Sequence, residues 1–224
     1  MMKLLFLIKA ILLVVNYPIQ SQIQEDKQSY ILVFLTPANN RNISIEEAQV
    51  IENNHLRNIG HLSESGVLAN AGPFEGGGEF MLLNTLTRND TEALLNNDPA
   101  IQNGLLKMEI LSMEFRKGGI CSPEIPYEMK TFSFVRYSPT NQIASYKTNA
   151  DFEMKRTHQR HVDLLISSGD VLIEGIFPGN DGGIIVYKGS SLDDQIDEDP
   201  AIKQGYLKAE TSIIWLNVGS FCDN

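Results

Sequence analysis

The chain has 224 residues, 42% of them hydrophobic, and a formal charge of −10 from 28 acidic and 18 basic side chains. That length holds one large domain or two of ordinary size, and the apolar share excludes wholesale disorder. The acidic balance argues against nucleic acid or an anionic membrane surface as partner, because phosphate binding needs a positive field.

Residues 1–22 read as a signal peptide. Lys3 and Lys9 are the only charges before Glu25, and the apolar runs LLFLI and AILLVV lie between and after them. A basic start, an apolar middle and a polar exit form the pattern of a secretory signal, which predicts cleavage near Gln22 and a periplasmic or secreted product. The apolar run is short for a bilayer span, so no membrane association is expected beyond this segment. Loss of the two lysines takes the charge from −10 to −12. No Cys follows the apolar run, so a lipid anchor is not indicated. The alternative is an uncleaved tail or anchor.

YILVFLTP (30–37) is a continuous apolar run, read as a buried strand. A helix follows, for which Ser44 and Glu47 suit a capping box and Gly66 marks the stop. VLANAG and FMLLN are two short strands joined by the glycine-rich PFEGGGE. A short helix from about Asp90 ends before Asp98-Pro99, because the residue before a proline is pushed out of helical geometry. LLKMEILSMEF is the last strand of the unit, and residues 117–130, rich in Gly and Pro, form a linker.

The same order then recurs: FSFVRYSP, a helix to Ser168, VLIEG, GIIVY, a short acidic helix and YLKAETSIIWL. FSFVRYSP repeats YILVFLTP at an offset of 102, HQRHVDLLISSGDVLIEGIF repeats HLRNIGHLSESGVLANAGPF at 103, and DPAIKQG repeats DPAIQNG at 101. Self-similarity at a nearly fixed period predicts duplicated structural units. The expected fold is α+β: two tandem ferredoxin-like βαββαβ repeats, residues 28–116 and 131–222. A single such sheet leaves one apolar face uncovered. Two repeats cover it by packing sheet to sheet, as a pseudo-dimeric α/β barrel.

Two histidines stand out. Ala48, Ile51, Ile59 and Leu62 form an apolar stripe at helical spacing, and His55 falls on it. In the second repeat Met154, Val162 and Leu165 form the matching stripe, with His158 in the same slot. Burial lowers the pKa of such a ring and a nearby carboxylate raises it, so it can serve as general acid or base. The alternative is a core histidine satisfied by a backbone carbonyl. His61 and His161 do not match in position and sit off the stripes. A His158-x-x-His161 metal site lacks a third ligand in any recognisable pattern. GPFEGGGEF and GIFPGNDGGI lack the Lys and Ser/Thr of a phosphate loop and read as hairpin loops at the pocket mouth. Repeat two has Asp181 there, where repeat one offers only Glu75 and Glu79. Gly72 and Gly175 end the second strand of each repeat, at points where the backbone passes close to a ligand or helix. Cys121 and Cys222 are 101 residues apart, just after each last strand. In an exported protein an even pair suggests a disulfide, which needs both positions to lie near the two-fold axis.

The DPA-x-x-x-G motif, with the preceding H-(x)10-G-x-L-x-x-(A/E)-G-(P/I), resembles the YCII-related family, of dimeric α/β-barrel type. The resemblance covers roughly residues 30–115 and 131–216. It implies a His–Asp pair in each repeat, His55 with Asp98 and His158 with Asp199. It also implies a lyase, isomerase or dehydrohalogenase step on an unidentified small molecule, with no obligatory cofactor. Read from the residues alone, Asp98 and Asp199 are equally turn residues capping backbone amides. Repeat two has Gly175-Ile176 where the family pattern has Gly-Pro, so equal activity in the two pockets is not implied. A non-catalytic ligand-binding or structural pseudo-dimer is the alternative function.

Overall fold

This computed structural model describes residues 29–38, 43–84, 87–122, 125–140, 149–179, 182–189 and 193–222. The signal segment 1–22 and Asp181 lie outside them.

Strand β1 (Ser29–Pro37) is buried from Tyr30 to Leu35 on both faces. Side chains alternate along a strand. Tyr30, Leu32 and Phe34 therefore enter one apolar cluster, and Ile31, Val33 and Leu35 enter another, beneath the helices. Burying a large side chain of this kind contributes about 1.5–3 kcal/mol, so six in a row commit the segment to the sheet centre. Helix α1 (Ile45–Glu64) begins at the Ser44–Glu47 capping box and ends at Ser65, with Gly66 at a φ of 73°. The chain continues through β2 (Leu68–Pro73), β3 (Glu79–Leu83), α2 (Arg88–Leu95), α3 (Pro99–Gln102) and β4 (Leu106–Lys117). Thr87 caps α2 and Asp98 caps α3. The one-turn helix α3 follows the Asp-Pro turn where the sequence suggested direct entry into the last strand. Pro99 at its first position has no N–H to lose.

After the two-residue β5 (Gly119–Ile120) the same order returns: β6 (Met129–Pro139), α4 (Asn149–Ser167), β7 (Val171–Ile176), β8 (Gly183–Tyr187), α5 (Asp193–Asp197), α6 (Pro200–Lys203) and β9 (Leu207–Asn217). The final β10 (Phe221–Cys222) pairs with β5. Cys121 and Cys222 are joined there, with Cα atoms 5.8 Å apart.

The architecture is mixed α+β with one large antiparallel sheet. Eight strands run in the order β2-β3-β1-β4-β7-β8-β6-β9. The two halves thus pack face to face over a shared interior and also join edge to edge in one sheet. They share backbone hydrogen bonds at the β4–β7 seam, where Phe115 pairs with Gly175. The far ends also meet: Phe74 bridges to Ile214, and the Glu75 amide donates to the Ile213 carbonyl at 2.9 Å. Inside lies a cluster drawn from both halves, including Phe34, Phe80, Met113, Phe134, Ile184 and Ile214. Gly72 and Gly175 are explained by these two closures. A Cβ on Gly72 would lie 2.1 Å from the Trp215 carbonyl oxygen, and one on Gly175 would lie 2.5 Å from Met113 Sδ. Their close neighbours are strands of the other half, where the sequence suggested a ligand or helix.

Candidate functional site

The apolar stripe of α1 turns His55 inward, where it is 2% exposed. Its Nδ1 lies 2.9 Å from both carboxylate oxygens of Asp98. Asp98 is 1% exposed and also caps α3, with Oδ1 accepting from the Ala100 amide at 2.9 Å. Asn58 Nδ2 donates to Asp98 Oδ2 at 2.8 Å. The capping and pairing roles, alternatives in the sequence, are therefore held by one side chain. The carboxylate accepts from the helix and from the ring together.

On the other side of the ring, Glu79 Oε1 is 2.7 Å from Nε2. This is an ion-pair contact off the N–H axis, and Oε1 has no aligned hydrogen-bond donor. Burial would depress the His55 pKa, but the contacts with Asp98 and Glu79 outweigh it and raise the pKa to about 10. Burial likewise pushes Asp98 up, yet the bonds from His55, Asn58 and the Ala100 amide hold it below its usual range. His55 is thus an imidazolium at neutral pH, flanked by two carboxylates.

His55 and Glu79 lie in the wall of a cavity of about 530 Å³. Leu56, Ile59, Phe74, Leu105 and Leu106 supply apolar surface, Gly72 lies in the wall, and Glu52 and Glu79 are its acidic groups. A cavity of this size suits a small organic molecule.

The second half keeps the pair and changes its surroundings. His158 Nδ1 is 2.6 Å from Asp199 Oδ2, and Asp199 caps α6 through the Ala201 amide at 2.8 Å. The His158 side chain is 18% exposed against 3% for His55. Where Leu35 pairs with Glu79 in the first half, Tyr137 pairs with Gly183 in the second. The outer carboxylate is therefore missing at that position. Tyr137 packs edge-on to the His158 ring at 5.0 Å, and burial raises its pKa, with Asp199 and Glu174 adding to the effect. An acid appears instead on β7. Glu174 stands at the position of Ala71, since Ala71 pairs with Met81 and Glu174 with Ile185. Burial raises the Glu174 pKa, and Arg116, reaching across the seam from β4, opposes that by ion pairing with it. Arg116 also bonds Asp163 at 2.6 Å. The second cavity, lined by Tyr137, Lys155, His158, Gln159, Glu174 and Gly175 among others, is about 120 Å³.

Glu79 was visible in the sequence only as a loop acid, and Glu174 only as a variable position before a glycine. Both are placed by strand register, which sequence spacing does not reveal. His61 is exposed beside Glu64. His161 takes the place of Asn58 and bonds the Gln195 carbonyl at 2.8 Å, so it is half-buried and occupied where an exposed ring was expected. Among the described residues no group of three His, Cys, Asp or Glu side chains is placed to hold a metal. Among the described residues no helix is long and apolar enough to cross a membrane.

No protein-family model matches the chain, and no curated protein matches it. Solved structures that are similar at low identity include the following. One is a "putative monooxygenase" from Lactobacillus acidophilus (10% identity, 88% of this chain, 96% of that one, TM-score 0.39). One is a "putative chlorite dismutase" (9%, 84%, 94%, TM-score 0.48). The third is a "putative monooxygenase" from Fusobacterium nucleatum (8%, 89%, 96%, TM-score 0.43).

Proposed function

We propose that this chain is an exported small-molecule enzyme of YCII-like type, two barrel halves fused in one chain, with one working site in the first half. The observation that carries it is His55, held between Asp98 and Glu79 on the wall of a cavity of about 530 Å³. Glu79 is the proton acceptor and reaches the substrate. It takes a proton from a carbon next to an electron-withdrawing group. The bonding pair then either expels a leaving group from the next carbon or delocalises into the substrate and is reprotonated elsewhere from the Glu79 carboxyl. The first course is a lyase or dehydrohalogenase step, the second an isomerase step. His55 pairs with Glu79 and orients it, while Asp98 fixes the ring. These side chains supply acid–base chemistry of the kind worth about 10²–10⁴ in rate.

The test is proton washout in D2O, followed by NMR, for a panel of lactones, cyclic enones, aminoketones and haloalkanes. A compound that exchanges one C–H with wild type, and does so at least roughly 100-fold more slowly with Glu79→Gln, supports the reading. Exchange unchanged in Glu79→Gln and His55→Gln, or absent for every compound that binds, overturns it. One observation favours a second reading, a binding module without turnover. Both His55 ring nitrogens face carboxylates and its pKa is raised to about 10, so the ring has no free lone pair at neutral pH. Binding without washout is the outcome that selects it.

A further inference from the structure

The charged groups lining the first cavity are Glu52, His55 and Glu79, and among the described residues no Lys or Arg lines it. Asp98 and Glu79 together outweigh the imidazolium between them, leaving that cluster with one net negative charge. Glu52 adds another at the mouth. It stands one turn before His55 on α1, with Leu56 and Ile59 continuing the same wall. The second cavity differs on the matching helix face. The residue lining it at the Glu52 position is Lys155, and at the Leu56 position Gln159, while Glu174 is its acid. The two cavities, built on the same helix–strand frame, therefore carry side chains of opposite charge at this one helix position.

We propose that the first cavity selects organic cations: amines, or other singly charged positive molecules, with an apolar body of one or two rings. The apolar body lies on Leu56, Ile59 and Phe74. The positive charge sits between the Glu52 and Glu79 side chains that line the cavity. An anionic substrate would face two carboxylates in a partly desolvated site, where charge interactions are stronger than in water. This inference rests on the first cavity being the working site, and it adds the class of molecule that site takes.

The experiment is a binding series at neutral pH on the full chain with three probes of similar shape: phenethylamine, phenethyl alcohol and hydrocinnamate. Amide chemical shifts of Leu56, Ile59 and Phe74 report binding. The expected order is amine over alcohol over carboxylate, with roughly three- to tenfold between steps, the range of partly exposed charge pairs. Glu52→Lys, which places the second cavity's residue in the first, reverses the preference between amine and carboxylate. Glu52 is exposed on a helix, so that variant folds. Probes that bind with no charge preference, or in an order that Glu52→Lys leaves unchanged, overturn the cation inference and leave the working-site reading standing. No shift at these amides with any probe overturns both.

Discussion

The two halves carry the same His–Asp pair on the same frame, yet only the first gives the ring a wide cavity and a carboxylate in direct ion-pair contact with its second nitrogen. His55 borders a cavity of about 530 Å³, and His158 borders one of about 120 Å³, each with its Asp buried behind the ring. Ala71 gives way to Glu174, Leu35 to Tyr137 and Glu79 to Gly183. The pair by itself therefore does not mark a site. In both halves the Asp caps a one-turn helix and the His ties the long helix to that cap. That work belongs to folding and is needed in either half. What distinguishes the first half is register: β3 enters its pairing with β1 at an acid, so a carboxylate reaches the far side of the ring.

The largest expected effect is on stability. Asp98→Ala leaves a buried imidazolium facing an empty cap and should cost about 3–5 kcal/mol, the penalty for breaking a buried ion pair. Asp199→Ala removes the equivalent cap from a more exposed His and should cost about 1–2 kcal/mol. Urea unfolding of the two variants compares them directly. Equal losses would mean the halves are energetically alike and the second carboxylate is irrelevant.

The pH dependence separates the halves next. The folded His55 pKa is raised from 6.5 to about 10. Its contribution is therefore complete below pH 6.5 and is lost as pH climbs from 6.5 through about 10. In that window the protein should lose up to about 1.4 kcal/mol of stability per pH unit, one proton's worth. Asp98, lowered in the folded state, acts in the opposite sense and in acid: its contribution is present above its ordinary value of 3.8 and falls away below it. His55→Gln should flatten the alkaline slope. A slope that survives His55→Gln would place the alkaline titration on another group.

Exchanging the wall residues tests the cavities themselves. Ala71→Glu should fill the first cavity and weaken phenethylamine roughly tenfold or more, since the probe must displace a buried side chain. Glu174→Ala should enlarge the second cavity and remove the buried carboxylate partner of Arg116, at about 1–3 kcal/mol. If probe binding in the first cavity is indifferent to Ala71→Glu, the cavity is not where these molecules bind.

The extent to which this could be read from the sequence divides by the range of the interaction. The capping box at Ser44, the stop at Gly66 and the break before Pro99 are local signals, and the helices end there. The inward face of α1 is set by the spacing of Ala48, Ile51, Ile59 and Leu62, which placed His55 correctly. Glu79 and Glu174 are different. Each sits in or beside a loop rich in glycine, with no periodic pattern around it, and its partner is fixed by cross-strand register. The single continuous sheet was likewise hidden, because the β4–β7 seam depends on the fit of Gly175 against Met113, a contact between the two halves. The motif resemblance paired His with Asp and had no means of ranking the two pairs.

The smallest effect concerns a position where the halves differ without touching the pocket. Gly60 on α1 corresponds to Asp163 on α4, which holds Arg116 at the seam. The first half has no matching arginine to reach across, because the residue corresponding to Arg116 on β9 is Asn217. A Cβ on Gly60 meets no atom within 4 Å, and the residue lies within a helix. Gly60→Ala should therefore stabilise the protein by about 0.8–1 kcal/mol through helix propensity alone. Asp163→Ala, by contrast, should destabilise it by removing one of the two carboxylates that hold Arg116. Thermal unfolding of both variants would show opposite shifts. Were Gly60→Ala destabilising, the space beside α1 would have to be used by something other than solvent. The first half would then carry a contact that the second half replaces with its ion pair.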